Sequence, residues 1–237
     1  MYAGPMASTD TPGQGTGHEQ PVLRADAARN RERIVSAACA VFSQRGLEVA
    51  MEDIAREAGV GVATLYRRFP TREALIADAF EHKMTAHADA VADALEDPDP
   101  WRGFCGYLER VCAMQAADRG FASVLTLTFP AAKGFEAQRD RAYRGFVELI
   151  QRAKNAGRLR ADFVAEDLAI LLMANAGVVE GTGEAAPETW KRLLGYMIQS
   201  FATPAPQPLP DPPSPTLMHR ALLRLRPGPR KGCPPRR

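Results

Sequence analysis

Apolar residues recur at helical spacing through most of the 237-residue chain, and long alanine-rich stretches accompany them. The first such stretch covers about residues 30–45 and ends at Gly46, a residue type that commonly terminates helices. Its apolar positions, which share one helical face, are Ile34, Ala38, Val41 and Phe42. No run of any length alternates β-branched and polar residues in the manner of a half-buried strand. The pattern therefore predicts an all-α fold.

Helix-start and helix-stop signals divide the rest of the chain. Thr71 follows Pro70 and has the side chain of an N-cap, so we expect a long helix to begin there. The sequence Asp97-Pro98-Asp99-Pro100 then interrupts the pattern, and Asp99 before a proline is a second helix-start signal. Beyond it, the periodicity predicts helices around residues 104–112 and at about 121–129, 133–155, 168–180 and 187–201.

The segment 50–73 has the most specific pattern of the chain. Residues 51–58 and 61–69 predict two short helices, separated by a tight turn. Gly59 stands where the chain must turn sharply, so we expect it to have a positive φ, with Val60 as an apolar plug in the turn. This helix–turn–helix arrangement presents its second helix to the major groove of DNA.

The second short helix has a core side and an outward side. Leu65 and Phe69 lie four residues apart on the core side, so Arg67 lies nearly opposite them. An outward arginine has the donors to contact guanine O6 and N7, or a phosphate. The predicted DNA contacts are Gly61, Val62, Ala63, Thr64, Tyr66 and Arg67, with Thr71 and Arg72 as phosphate anchors. The alternative is that the arginines form only a solvated face.

Four arginines around the start of the first helix are further candidates for phosphate or minor-groove contacts. They are Arg24, Arg29, Arg31 and Arg33.

The order of residues in this region resembles the tetracycline-repressor (TetR/AcrR) family across about residues 27–86. The motif is Arg33-Ile34-x2-Ala37-Ala38-x3-Phe42-x3-Gly46, then Met51-Glu52-Asp53-Ile54-Ala55-x2-Ala58-Gly59-Val60, then Thr64-Leu65-Tyr66-x2-Phe69-x2-Arg72-Glu73-Ala74-Leu75. The resemblance implies an all-helical homodimer with a three-helix DNA-binding head and a helical ligand-binding body. One departure is Ala50, which stands where such proteins often have a capping threonine.

These observations predict four regions. Residues 1–26 and 204–237 are expected to be disordered, the first as an N-terminal arm and the second as a proline-rich basic tail. Residues 27–86 form the predicted DNA-binding domain, with its helix–turn–helix motif at about 50–69. Residues 87–203 form the predicted helical domain for ligand binding and dimerisation.

A homodimer is expected because the helices at 168–179 and 187–201 have more apolar surface than one core needs. The predicted interface residues are Leu171, Leu172, Val178, Trp190, Leu194, Met197 and Ile198. A dimer presents two reading helices to a near-palindromic operator. The alternative is that both helices complete a monomeric core.

The predicted effector pocket is drawn from the helices of the second domain. Its candidate residues are His87, Trp101, Phe104, Cys105, Leu108, Phe121, Leu125, Phe129, Phe146 and Asn175. Most of these are also ordinary core residues. Asn175 is the best indicator because a buried amide needs partners, either across the dimer or on a ligand.

Composition narrows the class of function only a little. The net charge of +2 argues neither for nor against nucleic acid, and four scattered cysteines show no CxxC pairing. Cys105 and Cys112 are either small core residues or a thiol sensor. No signal peptide or membrane span is recognisable, so we expect a soluble cytoplasmic protein that needs neither metal nor cofactor.

The predicted function is a ligand-responsive repressor that binds double-stranded DNA. An activator with the same head and an all-helical adaptor protein remain alternatives. An enzyme is not expected, because the histidines are scattered and no nucleophile–base arrangement or phosphate-binding glycine loop is present.

Overall fold

A computed structural model describes residues 19–127, 129–183, 185–205 and 207–224, with only the backbone described for 19–27, 219, 223 and 224. Its helices are α1 (Glu19–Arg45), α2 (Met51–Glu57), α3 (Val62–Arg68), α4 (Arg72–Leu95), α5 (Pro100–Ala117), α6 (Arg119–Val124), α7 (Lys133–Asn155), α8 (Glu166–Thr182), α9 (Thr189–Phe201) and α10 (Pro215–Arg224). Over these ranges, β structure is limited to one isolated bridge between Leu159 and Ala202. The prediction of an all-α fold is confirmed.

Helix α1 begins at Glu19, well before the predicted start near residue 30. The prediction of disorder is therefore wrong for residues 19–26, while residues 1–18 lie outside the described part of the chain. Pro21 falls in the first helical turn, where the missing N–H group has no helical partner to lose. The following leucine, arginine and alanines are strong helix formers, so they extend the helix.

Helix α4 is shared by two hydrophobic cores. Phe80 and Met84 pack in the first core with α1, α2, α3 and α6. Ala88 and Val91 pack in the second core with α5, α7, α8 and α9. The predicted domain boundary after residue 86 therefore falls inside α4, between the residues that serve the two cores.

Helix α6 joins the first three helices to the remainder of the chain. A Cβ atom on Gly120 would lie 2.7 Å from the Phe42 carbonyl oxygen of α1 and 2.7 Å from the Phe80 ring of α4. Only glycine permits this close approach. Phe121 and Val124 of the same helix are fully buried in the first core, so α6 is packed directly against the predicted DNA-binding head.

The C-terminal tail, which the sequence predicts to be disordered, contains a helix. Helix α10 begins after Ser214, whose hydroxyl oxygen accepts a hydrogen bond from the Leu217 N–H group at 3.3 Å. Pro215 occupies the first helical position, where proline is favoured. The prediction of disorder is therefore wrong for residues 215–224, and residues 225–237 lie outside the described part.

Candidate DNA-binding surface and effector cavity

The turn between α2 and α3 has the predicted geometry. Gly59 has a φ of +62°, which glycine adopts without strain. The Arg33 guanidinium of α1 donates to the carbonyl oxygens of Ala58 at 2.6 Å and Gly59 at 3.0 Å. Val60 is half-buried against the first core, as expected of a plug. The turn is therefore fixed both by its own sequence and by α1.

Helix α3 has the predicted division into a buried and an outward side. Leu65 is fully buried and Phe69 is 2% exposed. Gly61, Val62, Ala63 and Arg67 are exposed, Tyr66 is 41% exposed and Thr64 is half-buried. Within the described residues, the Arg67 side chain forms no hydrogen bond or ion pair, so its donors are available to a partner.

The predicted phosphate anchors at the start of α4 have different roles. Thr71 is the N-cap, and its hydroxyl oxygen accepts a hydrogen bond from the Ala74 N–H group at 3.1 Å. Its side chain remains exposed and stays a predicted phosphate contact. Arg72 is half-buried, and its Nη1 donates to the carbonyl oxygens of Leu47 and Val49 in the loop before α2. Assigning Arg72 to a phosphate is therefore corrected, because this side chain holds the loop.

Two arginines of α1, Arg31 and Arg33, bind other groups of the protein. Arg33 clamps the turn, and Arg31 forms an ion pair with Asp78 at 2.5 Å while lying over the Phe69 ring. Arg29 has a partner of its own, and the side chain of Arg24 lies outside the described atoms. The proposal that these arginines track phosphates is corrected for Arg31 and Arg33.

Helix α2 begins without a side-chain cap, as the departure at Ala50 predicted. Ala50 has φ −62° and ψ 142°, which is the extended backbone of an N-cap, and its side chain is exposed. Replacing Ala50 with serine is expected to raise the free energy of unfolding by about 1 kcal/mol, because the hydroxyl would accept from an orphan N–H group of α2. Urea unfolding measures the change.

A matched control is available at the start of α8. Ala165 precedes that helix with a helical backbone (φ −63°, ψ −28°), which does not aim a side chain at the helix end. Ala165→Ser is therefore expected to leave stability unchanged or to lower it. An equal gain from both substitutions would contradict the capping explanation.

A cavity of about 450 Å³ lies in the second half of the molecule, bounded by α4, α5, α7, α8 and α10. Its walls are mainly apolar and aromatic, with Met84, Tyr107, Phe146 and Leu172 among the lining residues. This volume falls in the range of small-molecule sites in proteins.

Three of the predicted pocket residues line this cavity, namely His87, Leu125 and Phe146. Phe104, Leu108, Phe121 and Phe129 are instead buried in the two cores, while Trp101 and Cys105 are partly buried against the second core. They complete the packing between helices, so their assignment to the pocket is corrected. The sequence reading missed Tyr107, Arg139, Tyr143 and Leu168, because no periodic signal distinguishes a cavity wall from a core.

Asn175, predicted to bond across the dimer or to a ligand, forms hydrogen bonds within its own chain. Its Nδ2 donates to Gln115 Oε1 at 2.9 Å and to the Cys112 carbonyl oxygen at 3.3 Å, both on α5. Asn175 does not line the cavity, and it therefore contributes to the packing of α8 on α5.

Arg139 and His87 are two polar residues of the cavity wall. The Arg139 guanidinium donates to the carbonyl oxygens of Val124 at 3.0 Å and Leu125 at 3.1 Å, at the C-terminal end of α6. Its Nε lies 3.4 Å from Glu136 Oε2. His87 is 7% exposed, and its Nδ1 has no partner within the described residues.

Burial, and secondarily the positive charge of Arg139, lower the pKa of His87 to about 4. In the unfolded chain the pKa is near 6.5, so between these two values only the unfolded state binds the proton. The free energy of unfolding is therefore expected to fall by up to about 3 kcal/mol as the pH decreases from 7 to 4, through this group alone. Urea unfolding across this pH range measures the loss.

The substitution His87→Gln is expected to remove most of this pH dependence, because glutamine does not titrate. His82→Gln changes an exposed histidine of the same helix and is the control. An unchanged slope in the His87 variant would show that acid destabilisation has another source.

The cysteines of the second core are not suited to redox sensing. Burial raises the pKa of the Cys105 thiol and of the Cys112 thiol to about 12, so neither forms a thiolate at neutral pH. Both are free thiols, as is Cys39. Of the two interpretations left open by the sequence, the small core residue is the one that burial and pKa favour.

The predicted dimer residues are divided between core and surface. Leu171, Leu172, Trp190 and Leu194 are at most 7% exposed in the protomer, because α8 and α9 pack their apolar sides on α5. These four side chains have no area left for a partner, so assigning them to the interface is corrected. Val178, Met197 and Ile198 are partly exposed.

The most exposed apolar residues of α8 and α9 are not among the predicted interface residues. Ile170 is 42% exposed, Met173 39% and Tyr196 55%. Ile170 and Met173 are three residues apart and lie on one face of α8.

Fold and surface together define a helix–turn–helix DNA-binding protein with a second helical domain. Residues 34–79 match the model of bacterial regulatory proteins of the tetR family, and residues 99–199 match the C-terminal domain of SbtR-like transcriptional regulators. A TetR transcriptional regulator from Streptomyces coelicolor is 31% identical over 74% of this chain and 99% of its own, with a TM-score of 0.47. The chain belongs to the TetR family of transcriptional regulators.

Two further similarities are weaker: one covers a short segment, and the other has lower sequence identity. HTH-type transcriptional regulators of Staphylococcus aureus are 43% identical over 54 residues, which cover 22% of this chain and 29% of theirs. The chain therefore aligns with less than a third of the length of these curated relatives. A putative regulator from Saccharomonospora viridis, solved in complex with choline, is 20% identical over 74% of this chain and 98% of its own, with a TM-score of 0.52.

Among the helices of the described residues, none has both the length and the apolar character needed to cross a bilayer.

Proposed function

We propose that this protein is a ligand-responsive repressor that binds a near-palindromic operator in the cytoplasm as a homodimer. The exposed side of α3 reads the operator, and a small molecule in the 450 Å³ cavity weakens that binding. The supporting observation is a continuous set of polar contacts that joins the cavity wall to the DNA-binding head through α6.

The cavity end of this connection is Arg139. Its guanidinium donates to the Val124 and Leu125 carbonyl oxygens at the C-terminal end of α6. A ligand that recruits Arg139 withdraws these donors from α6. The connection begins at a residue that lines the cavity and ends on the helix packed against the head.

The head end of the connection is Asp118, the N-cap of α6. Its Oδ1 accepts from the Phe121 N–H group at 2.8 Å, and its Oδ2 accepts from the Ser43 hydroxyl of α1 at 2.6 Å. Lys83 of α4 forms an ion pair with the same carboxylate. A displacement of α6 therefore moves both α1 and α4, and with them the position of α3.

Ligand response is tested with Nile red, a neutral apolar dye that reports entry into apolar sites by fluorescence. The dye is titrated into the protein, and binding to DNA from upstream of its own gene is followed by fluorescence anisotropy. Saturating dye is expected to weaken operator binding by about 5- to 150-fold, the usual range for allosteric coupling. Dye that binds in the cavity without changing operator affinity would count against ligand response through this site.

Salt dependence separates operator binding from other activities. A regulator that neutralises phosphates is expected to lose DNA affinity linearly on a log–log plot as salt increases. An enzyme or adaptor without a duplex partner shows no such slope.

We assign the partner subunit to the exposed apolar face of α8 and α9. Ile170 and Met173 provide the centre of this face on α8, and Tyr196 provides it on α9. Pairing the same face of two copies makes a four-helix interface, an arrangement in which apolar helix faces commonly associate.

Ile170→Glu is expected to convert the dimer to a monomer, because it places a charge at the centre of a self-complementary face. Sedimentation velocity measures the oligomeric state. Val147→Glu is the matched control, since Val147 is an apolar residue of similar exposure (43%) on α7. A dimer that survives Ile170→Glu would place the interface elsewhere.

A further inference from the structure

The C-terminal helix α10 contributes directly to the wall of the effector cavity. Pro215, Met218 and Leu222 line the cavity and recur at a spacing of three and four residues, so they share one helical face. Leu217 lies on another side of α10 and is 58% exposed. Met218 and Leu222 are half-buried and Pro215 is exposed, so α10 turns one apolar side toward the cavity and forms part of its wall.

The segment before α10 is attached to the body by an ion pair in which Arg160 is buried and Asp162 is about one third exposed. Arg160 is 5% exposed and forms a bidentate ion pair with Asp162. Its Nε lies 2.5 Å from Oδ1 and its Nη2 lies 2.8 Å from Oδ2. Arg160 Nη2 also donates to the Gln207 carbonyl oxygen at 2.8 Å. Asp162 Oδ2 accepts from the Leu209 N–H group at 2.8 Å. We call this set of contacts the latch, because it holds the tail where it leaves α9.

The latch and α10 both involve a part of the chain beyond the family's regulatory domain. The match to that domain ends at residue 199, whereas the tail contacts begin at 207 and α10 ends at 224. The cavity of this chain is thus closed in part by a segment outside the matched domain.

We propose that α10 is a lid on the effector cavity, held in place by the latch and displaced when a ligand enters or leaves. This inference rests on the proposed function, since it concerns regulation of the same site. In its docked position the lid narrows access to the cavity. It thereby lowers the rate and apparent affinity of ligand binding without touching the DNA-binding head.

Stopped-flow binding of Nile red to the full chain tests the lid. Met218→Glu combined with Leu222→Glu disfavours the closed position, because it buries two carboxylates in an apolar wall. If the closed lid leaves at most about 10% of molecules open, opening it is expected to raise the association rate constant about tenfold or more. Leu217→Glu, which adds the same charge on the exposed side of α10, is the matched control and is expected to change nothing.

A second variant opens the lid without placing charge in the cavity. Asp162→Asn weakens the latch, since the amide no longer balances the Arg160 charge. It is therefore expected to raise the association rate constant of the dye, as the double glutamate variant does. Limited trypsin digestion at Arg220 is expected to be faster in both lid variants, because an undocked α10 unfolds more readily. Circular dichroism confirms that each variant is folded.

Unchanged dye kinetics and unchanged cleavage in both lid variants would overturn the proposal. Ala169→Phe fills the cavity, so its loss of dye signal verifies that the dye reports on this site. The experiments can contradict the lid and the proposed function independently of each other. Faster dye binding with no effect of dye on operator affinity supports the lid and contradicts ligand response, and the reverse result contradicts only the lid.

Discussion

Replacing Arg67 with alanine is expected to remove most of the preference for operator over random DNA. The side chain is exposed on the outward side of α3 and has no partner within the described part of the protein. A bidentate arginine–guanine contact contributes about 1–3 kcal/mol of discrimination. A dimer makes the contact twice, so operator affinity is expected to fall by about 30-fold or more. Fluorescence anisotropy with operator and random duplexes measures both affinities.

Arg68→Ala is the control for the loss of positive charge. Arg68 is the next residue of α3 and is also exposed, but it points about 100° away around the helix. Its loss is expected to weaken operator and random DNA to a similar, smaller extent, since a phosphate contact is independent of sequence. Equal ratios of operator to random affinity in wild type and Arg67→Ala would show that the reading face is wrongly assigned.

The head was predictable from sequence because its determinants are local. Gly59 needs a positive φ, Leu65 and Phe69 repeat at helical spacing, and Thr71 is placed to cap the next helix. Each of these signals depends on residues within a few positions of one another. The structure confirms all three, together with the missing cap at Ala50.

The corrected assignments concern residues whose roles depend on distant parts of the chain. Arg33 and Arg72 donate to carbonyl groups 23 to 26 residues away in the sequence. The sequence predicted both as candidate DNA contacts, but in the structure they hold a turn and a loop in place. The dimer prediction was wrong at Leu171 and Trp190 because periodicity identifies an apolar face but not its partner. The cavity is lined by five helices that are separated in sequence, so only three of the predicted pocket residues, His87, Leu125 and Phe146, lie in its wall.

Asp118 is expected to be one of the most sensitive positions of the chain. Its carboxylate is 5% exposed, caps α6, and binds Ser43 of α1 and Lys83 of α4. Asp118→Ala removes the cap and leaves a partly buried ammonium group without its partner. Lys83 is 38% exposed, so we discount the cost of a fully buried pair and expect a loss of about 2–4 kcal/mol in the free energy of unfolding.

Asp99→Ala provides the matched control, because Asp99 caps α5 through the Trp101 and Arg102 N–H groups and, within the described residues, its side chain forms no hydrogen bond or ion pair with the head. That variant is expected to lose only about 1 kcal/mol, the contribution of a cap. The difference between the two variants measures how strongly Asp118 joins α6 to α1 and α4. If Asp118→Ala costs no more than Asp99→Ala and the Nile red effect on operator affinity is unchanged, the connection between cavity and head must run through other contacts. If the dye still binds but no longer weakens operator binding, Asp118 is the point at which occupancy of the cavity is passed to the DNA-binding head.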